Sequence, residues 1–150
     1  MLIYLYEYKM RGYVILNNDP IIDFQGYKIQ NLEYTHDKKN LSKYEDGFNL
    51  NPKVGIDEKL KHGIVTLSVT LRPNHSELGI KIEISGEFNI SNSLDSKDKI
   101  ARALFVNGTA IMFPYVRSII SMISGLDSSN TILLPTINTM DLYKDKNEHK

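Results

Sequence analysis

The chain has 150 residues, 41% of them hydrophobic, and 18 Lys and Arg balance 18 Asp and Glu. That is enough for one domain with its own core. Zero net charge excludes a general electrostatic attraction to nucleic acid or anionic lipid. There is no cysteine, which excludes disulfides, thiol catalysis and thiolate metal sites and suits a reducing, cytoplasmic setting.

Residues 1–16, MLIYLYEYKMRGYVIL, have strand composition, although Met10 offers an alternative start. Glu7, Lys9 and Arg11 interrupt the run and no basic stretch precedes it, against a signal peptide. NNDP at 17–20 is a turn cluster. The expected organisation is an N-terminal extension over 1–20, a folded domain over 21–144 and a disordered tail over 145–150.

Within that domain, 24–34 reads as a strand, 35–47 as a charged loop, and 48–57 as extended chain that Pro52 and Gly55 keep from being helical. In IVTLSVTLR (64–72), Val65, Leu67, Val69 and Leu71 share one face of a strand. After the turn PNHSE, Leu78, Ile80, Ile82, Ile84, Phe88 and Ile90 share one face of the next. The two strands predict a hairpin with one solvated face. Gly86 falls in the inward series, which predicts a bend or a close neighbour.

Beyond SNSLDS the apolar period becomes helical. Ser96 is the expected cap of a helix over 97–107 that Gly108 ends. Thr109 is the expected cap of a second helix over 110–124, with Gly125 just past its end and Pro114 marking a late start or a bend. A connection follows over 127–138, then a short helix over 139–143.

On the second helix, Arg117, Ser118, Ser121 and Ser124 form a polar stripe, and apolar side chains cover the rest. A helix resting on one sheet needs an apolar arc of only about 100° or slightly more. The wider arc predicts two apolar neighbours: the chain's own sheet and, with only short helices left over, another subunit. The interface residues are then Ile111, Phe113, Tyr115, Val116, Ile119, Ile120 and Ile123. The alternative is a helix buried wholly within a monomer.

The sequence offers little chemistry. His36, His62, His75 and His149 lack metal-ligand spacing, there is no GxSxG or phosphate-loop motif, and the acids cluster in loops. The expectation is no enzyme, no metal and no cofactor. Nor does any uncharged run reach the roughly 18–20 residues of a membrane span.

The run NGTAIMFPYVRSIIS (107–121), followed by LLPTIN (133–138) and preceded by ISGEFNI (84–90), resembles the SecB family of export chaperones. Phe-Pro-Tyr-x-Arg at the start of an apolar helix carries the likeness, which is good over 84–143, weak but collinear over 24–72, and absent before residue 20. The resemblance implies an α+β fold: a four-stranded antiparallel sheet with helices packed on one face, assembled as a homotetramer, a dimer of dimers. It implies an ATP-independent holdase for unfolded or non-native polypeptides, working in preprotein export. The peptide groove it implies lies between LNPKVGI, the sheet and the last helix, with Leu50, Val54, Ile56, Leu142 and Tyr143 as candidates.

Export members are strongly acidic and dock the motor SecA through acids on the outer sheet face. Here the corresponding positions hold Asn31, Thr35 and Lys81, with Glu33 as the nearest acid, which puts SecA docking in doubt. An alternative within the class is a chaperone dedicated to one client, such as the antitoxin of a toxin–antitoxin system. An alternative from another class is a structural subunit that assembles without binding unfolded chains.

Overall fold

The computed structural model describes residues 20–74, 76–127 and 131–149. The strand reading of 1–16 lies outside the described residues, as does His75. Four strands, β1 (Ile22–Thr35), β2 (Gly47–Ile56), β3 (His62–Arg72) and β4 (Gly79–Ile90), form one antiparallel sheet in the order β1-β4-β3-β2. The period-two pattern sets its two faces. Val65, Leu67 and Val69 of β3 and Ile80, Ile82, Ile84 and Phe88 of β4 are buried on the inner face. The outer face carries a polar ladder in which Thr66 and Ser85 share a hydrogen bond of 2.9 Å and Ser68 donates to Glu83 at 2.8 Å.

β1 hides its alternation. Register shifts fall between Phe24 and Gly26 and between Ile29 and Asn31, and Gly26 has φ 124°. Each extra residue resets the parity. Phe24, Tyr27, Ile29, Leu32 and Tyr34 therefore all lie opposite inward-facing positions of β4.

The expected break between two helices does not occur. α2 (Lys97–Ala103) begins at Ser96, whose hydroxyl accepts the Lys99 N–H at 3.3 Å. It continues through a π turn at Leu104–Gly108 into α3 (Thr109–Leu126). Gly108 is helical (φ −62°, ψ −44°), and Thr109 is a helical residue, not a cap. The glycine is there for space: a Cβ at Gly108 would come within 2.8 Å of Val65 Cγ2. Gly86 provides the matching recess in the sheet, where a Cβ would sit 2.6 Å from Met112 Sδ. The chain needs these glycines to bring helix and sheet together, so Gly108 does not stop the helix.

Pro114 likewise neither starts nor ends a helix. It is exposed, and so is Ala110, whose carbonyl loses the N–H four residues on. Gly125 lies within α3. The 30-residue helix Lys97–Leu126 is long and apolar enough to cross a bilayer, yet 56% of its most apolar window is buried inside the fold. It is the core helix of this domain.

Two segments differ further from expectation. The loop at 35–47 contains a short helix, α1 (Lys38–Leu41), capped by Asp37, whose carboxylate accepts the Lys39 N–H at 3.0 Å. Leu41 and Tyr44 are buried there. At the C-terminus, α4 runs from Thr139 to Glu148 instead of stopping at Tyr143, so 145–148 are helical. Asn138 caps α4 by accepting the N–H groups of Met140 and Asp141.

Candidate functional site

Among the described residues β2 is an edge strand, paired only with β3. Pro52, in its middle, has no N–H to donate, and its carbonyl accepts Lys146 Nζ at 2.9 Å. Both facts turn the main-chain groups of Pro52 toward the open edge, where proline is tolerated. Main-chain direction alternates along a strand, so Leu50 and Val54 turn theirs the same way.

Beside that edge lies a cleft of about 740 Å³ lined by Lys53, Val54, Asp98, Ala101, Phe105, Tyr143, Lys146 and Asn147. Its floor is aromatic. Phe105, delivered by the π turn, meets Tyr143 of α4 edge-on at 5.4 Å between ring centroids. Lys146 Nζ stands 5.2 Å above the Phe105 ring, a cation–π contact. Of the five residues expected to line a groove, Val54 and Tyr143 do so here. Leu50 and Ile56 are half-buried against the main core, and Leu142 is half-buried on α4. Phe105 was missed because the expected stop at Gly108 made its segment an ordinary core helix. Lys146 was missed because it was assigned to the tail.

α4 is held lightly over this cleft. None of its residues is buried. Its ties include the Phe105–Tyr143 ring contact, the Lys146–Pro52 bond, the cation–π contact of Lys146 with Phe105 and a 3.8 Å contact from Arg102 to Met140 Sδ.

The residues expected at a subunit interface divide in two. Phe113, Val116 and Ile120 are buried in the chain's own core and have no surface left to offer, which corrects their place in that set. Ile111 and Tyr115 are exposed, and Ile119 and Ile123 are half-buried. Met122 and Leu126, 66% and 82% exposed, extend the exposed side. Ile111, Tyr115, Ile119, Met122 and Leu126 recur every three or four residues and make one apolar stripe, half-buried at Ile119. Beside it Tyr115 packs on Phe24 and Tyr27 of β1. The polar stripe is also corrected: Ser124 is buried, donates to the Ile120 carbonyl at 2.7 Å and accepts the Ile132 N–H at 2.8 Å. Arg117 uses its Nε–H to hold the Leu134 carbonyl at 3.0 Å.

On the outer sheet face, Glu33 lies opposite Lys81, Asn31 opposite Glu83 and Thr35 opposite Gly79. The Glu33 carboxylate is engaged within the fold. It accepts the Tyr44 hydroxyl at 2.8 Å and the Asn31 amide at 3.4 Å. These bonds, the tyrosine's first, hold it below the usual carboxylate range. Burial and, secondarily, Glu33 push Tyr44 up to about 12. The sole acid among the four positions is thus already bonded to its neighbours.

The chain matches known proteins along most of its length. The profile of the family described as preprotein translocase subunit SecB matches residues 47–150. An uncharacterized protein of Methanocaldococcus jannaschii is 24% identical over 140 residues, covering 86% of each chain. The protein-export protein SecB of a Wolbachia of Brugia malayi is 22% identical over 137 residues, 89% of this chain and 75% of that one. Among solved structures, the fold is shared with a SecB-like chaperone of Mycobacterium tuberculosis in complex with a peptide from the HigA1 antitoxin. The TM-score is 0.62 at 12% identity, over 77% of this chain and 90% of that one. A protein of unknown function from Streptococcus agalactiae shares it with a TM-score of 0.54. With the family profile spanning three of the four strands and every described helix that follows them, the chain belongs to the SecB family of chaperones.

Proposed function

We propose that this protein is an ATP-independent holdase of the cytoplasm that binds segments of unfolded polypeptide in the cleft between β2, the π turn and α4. The observation that carries the reading is the meeting, in one place, of a strand edge that no described strand pairs with and an aromatic floor. An extended client segment adds main-chain hydrogen bonds at the edge of β2 and sets alternate side chains against Phe105, Tyr143 and Val54. Neither interaction demands a particular sequence. Apolar burial contributes about 25 cal/mol per Å², so a short segment binds weakly.

The exposed stripe of α3 supports assembly into a tetramer. Several clefts on one oligomer then raise the avidity for a long client through effective concentration. Binding the unfolded form shifts a client away from its native state, and covering its apolar segments suppresses aggregation.

Within that class we favour a dedicated client, such as an antitoxin, over general export through SecA. The specific support is the outer sheet face, where Glu33 is tied to Tyr44 and Asn31 and faces Lys81. A motor that docks on free acids finds none among these four positions.

The test is suppression of aggregation of a reduced, denatured client by light scattering. The native protein suppresses it near one oligomer per client, and the Val54→Ser, Tyr143→Ser double variant loses at least tenfold in potency at unchanged molecular mass. No suppression by the native protein at several-fold excess removes the holdase reading and leaves a structural subunit.

A further inference from the structure

The C-terminal end of α3 meets the end of β1 and the loop between β3 and β4 in a small polar cluster, and histidine is its centre. His36 Nε2 lies 2.6 Å from Asp127 Oδ2 and His36 Nδ1 lies 2.8 Å from the Glu77 carbonyl. Tyr34 donates to the same carboxylate oxygen at 2.7 Å, and its ring stands edge-on to the imidazole at 5.7 Å. Both neighbours of the imidazole are pure acceptors. A neutral histidine has one N–H and one lone pair, so it can satisfy only one of them; the charged ring donates to both. The geometry is that of an imidazolium.

We propose that His36, Asp127, Tyr34 and the Glu77 carbonyl form a proton-operated clasp that fastens the end of α3 and the start of its connection to the sheet, closed when His36 is charged and loosened when it is neutral. The three fastened elements are far apart in sequence: Asp127 is separated from His36 by 91 residues, and Glu77 by 41. The surrounding charges are consistent with this. Lys38 of α1 is turned to the Glu77 carboxylate at 3.1 Å, and the Asp37 carboxylate is occupied in capping α1. His75, in the same loop, lies outside the described residues. The Asp127 hydrogen bond first, and the Glu77 carbonyl second, raise the histidine above its ordinary value of 6.5. The sign follows: a raised folded-state pKa contributes stability below the unfolded value, and that contribution is lost as pH rises through the folded value. Loosening acts beside Met122 and Leu126, the most exposed part of the α3 stripe, and at the root of the connection that leads to α4. The clasp does not depend on how the cleft is read.

The test is imidazole ¹⁵N NMR of the whole labelled protein, with His36 assigned by its loss in His36→Gln. Both ring nitrogens of His36 should carry protons in the closed form, and the residue should titrate above a histidine in an unstructured peptide. Asp127→Asn should move that titration down toward the peptide's. Amide exchange over 120–127 and 131–134, corrected for intrinsic chemistry, should quicken at least threefold across the same titration in the native protein and not in His36→Gln. Titration at or below the peptide's pH, or no response to Asp127→Asn, overturns the proposal. A raised titration with unchanged exchange overturns it as well, because the pair then fastens nothing.

Discussion

The two apolar faces of α3 have nearly the same composition and opposite fates. Met112, Phe113, Val116 and Ile120 are sealed in the core, whereas Met122 and Leu126 stand open and Ile111 and Tyr115 are exposed to a lesser degree, Tyr115 packing along one edge on Phe24 and Tyr27 of β1. The difference lies in the neighbours. Gly86 and Gly108 remove Cβ atoms where the helix crosses the sheet, so the sealed face packs at close range. Hydrophobicity tells only that a residue gains from cover; the small residues opposite it tell which cover it has.

The largest expected effect tests the sealed face. Ile120→Ala removes a fully buried side chain from between α3 and the sheet, and transfer and cavity terms together predict a loss of about 2–5 kcal/mol. Urea unfolding followed by circular dichroism reads it from the shift in midpoint at unchanged slope. A loss under about 1 kcal/mol would mean that the site collapses freely, and the contrast between the faces would weaken.

The sealed face also contains one polar misfit. Thr109 is fully buried, and its Oγ1 has no hydrogen-bond partner among the described residues. Ser124 shows the satisfied alternative, with its hydroxyl both donating and accepting. Thr109→Val keeps the shape and removes the unpaired hydroxyl. Thermal unfolding should show a gain of about 1 kcal/mol, since an unsatisfied buried polar group costs roughly 1–3. Destabilisation instead would reveal a bonded hydroxyl and a sealed face that tolerates polarity.

Much of this was legible in the sequence, and the failures have physical causes. β3 and β4 were plain because their alternation is unbroken and each has one solvated face. Ser96 was readable as a cap because its side chain acts locally. Local rules failed where tertiary packing reversed them: Gly108 looks like a helix stop until Val65 is seen against it, and Thr109 looks like a cap until it is seen inside the helix. α1 went unread because Leu41 and Tyr44 are only two apolar residues in a charged stretch, and burial alone makes them matter. The cleft was half legible. Val54 and Tyr143 follow from the family likeness, whereas Phe105 reaches it through a π turn that no sequence period announces.

The smallest effect on the fold of one chain, and the sharpest test of the contrast, comes from the open face. Met122→Ser with Leu126→Ser removes apolar surface that is 66% and 82% exposed, so each change should alter the intrinsic stability by no more than about 0.5 kcal/mol. If a sister chain covers that stripe, the double variant nevertheless changes the oligomer. Light scattering should give a tetramer for the native protein and a smaller species for the variant. The native midpoint should also rise with protein concentration, because assembly stabilises the folded state by mass action, while the variant's should not. Equal masses and concentration-independent midpoints for both proteins would leave the open face of α3 without a partner, and its exposure could then no longer be explained by assembly.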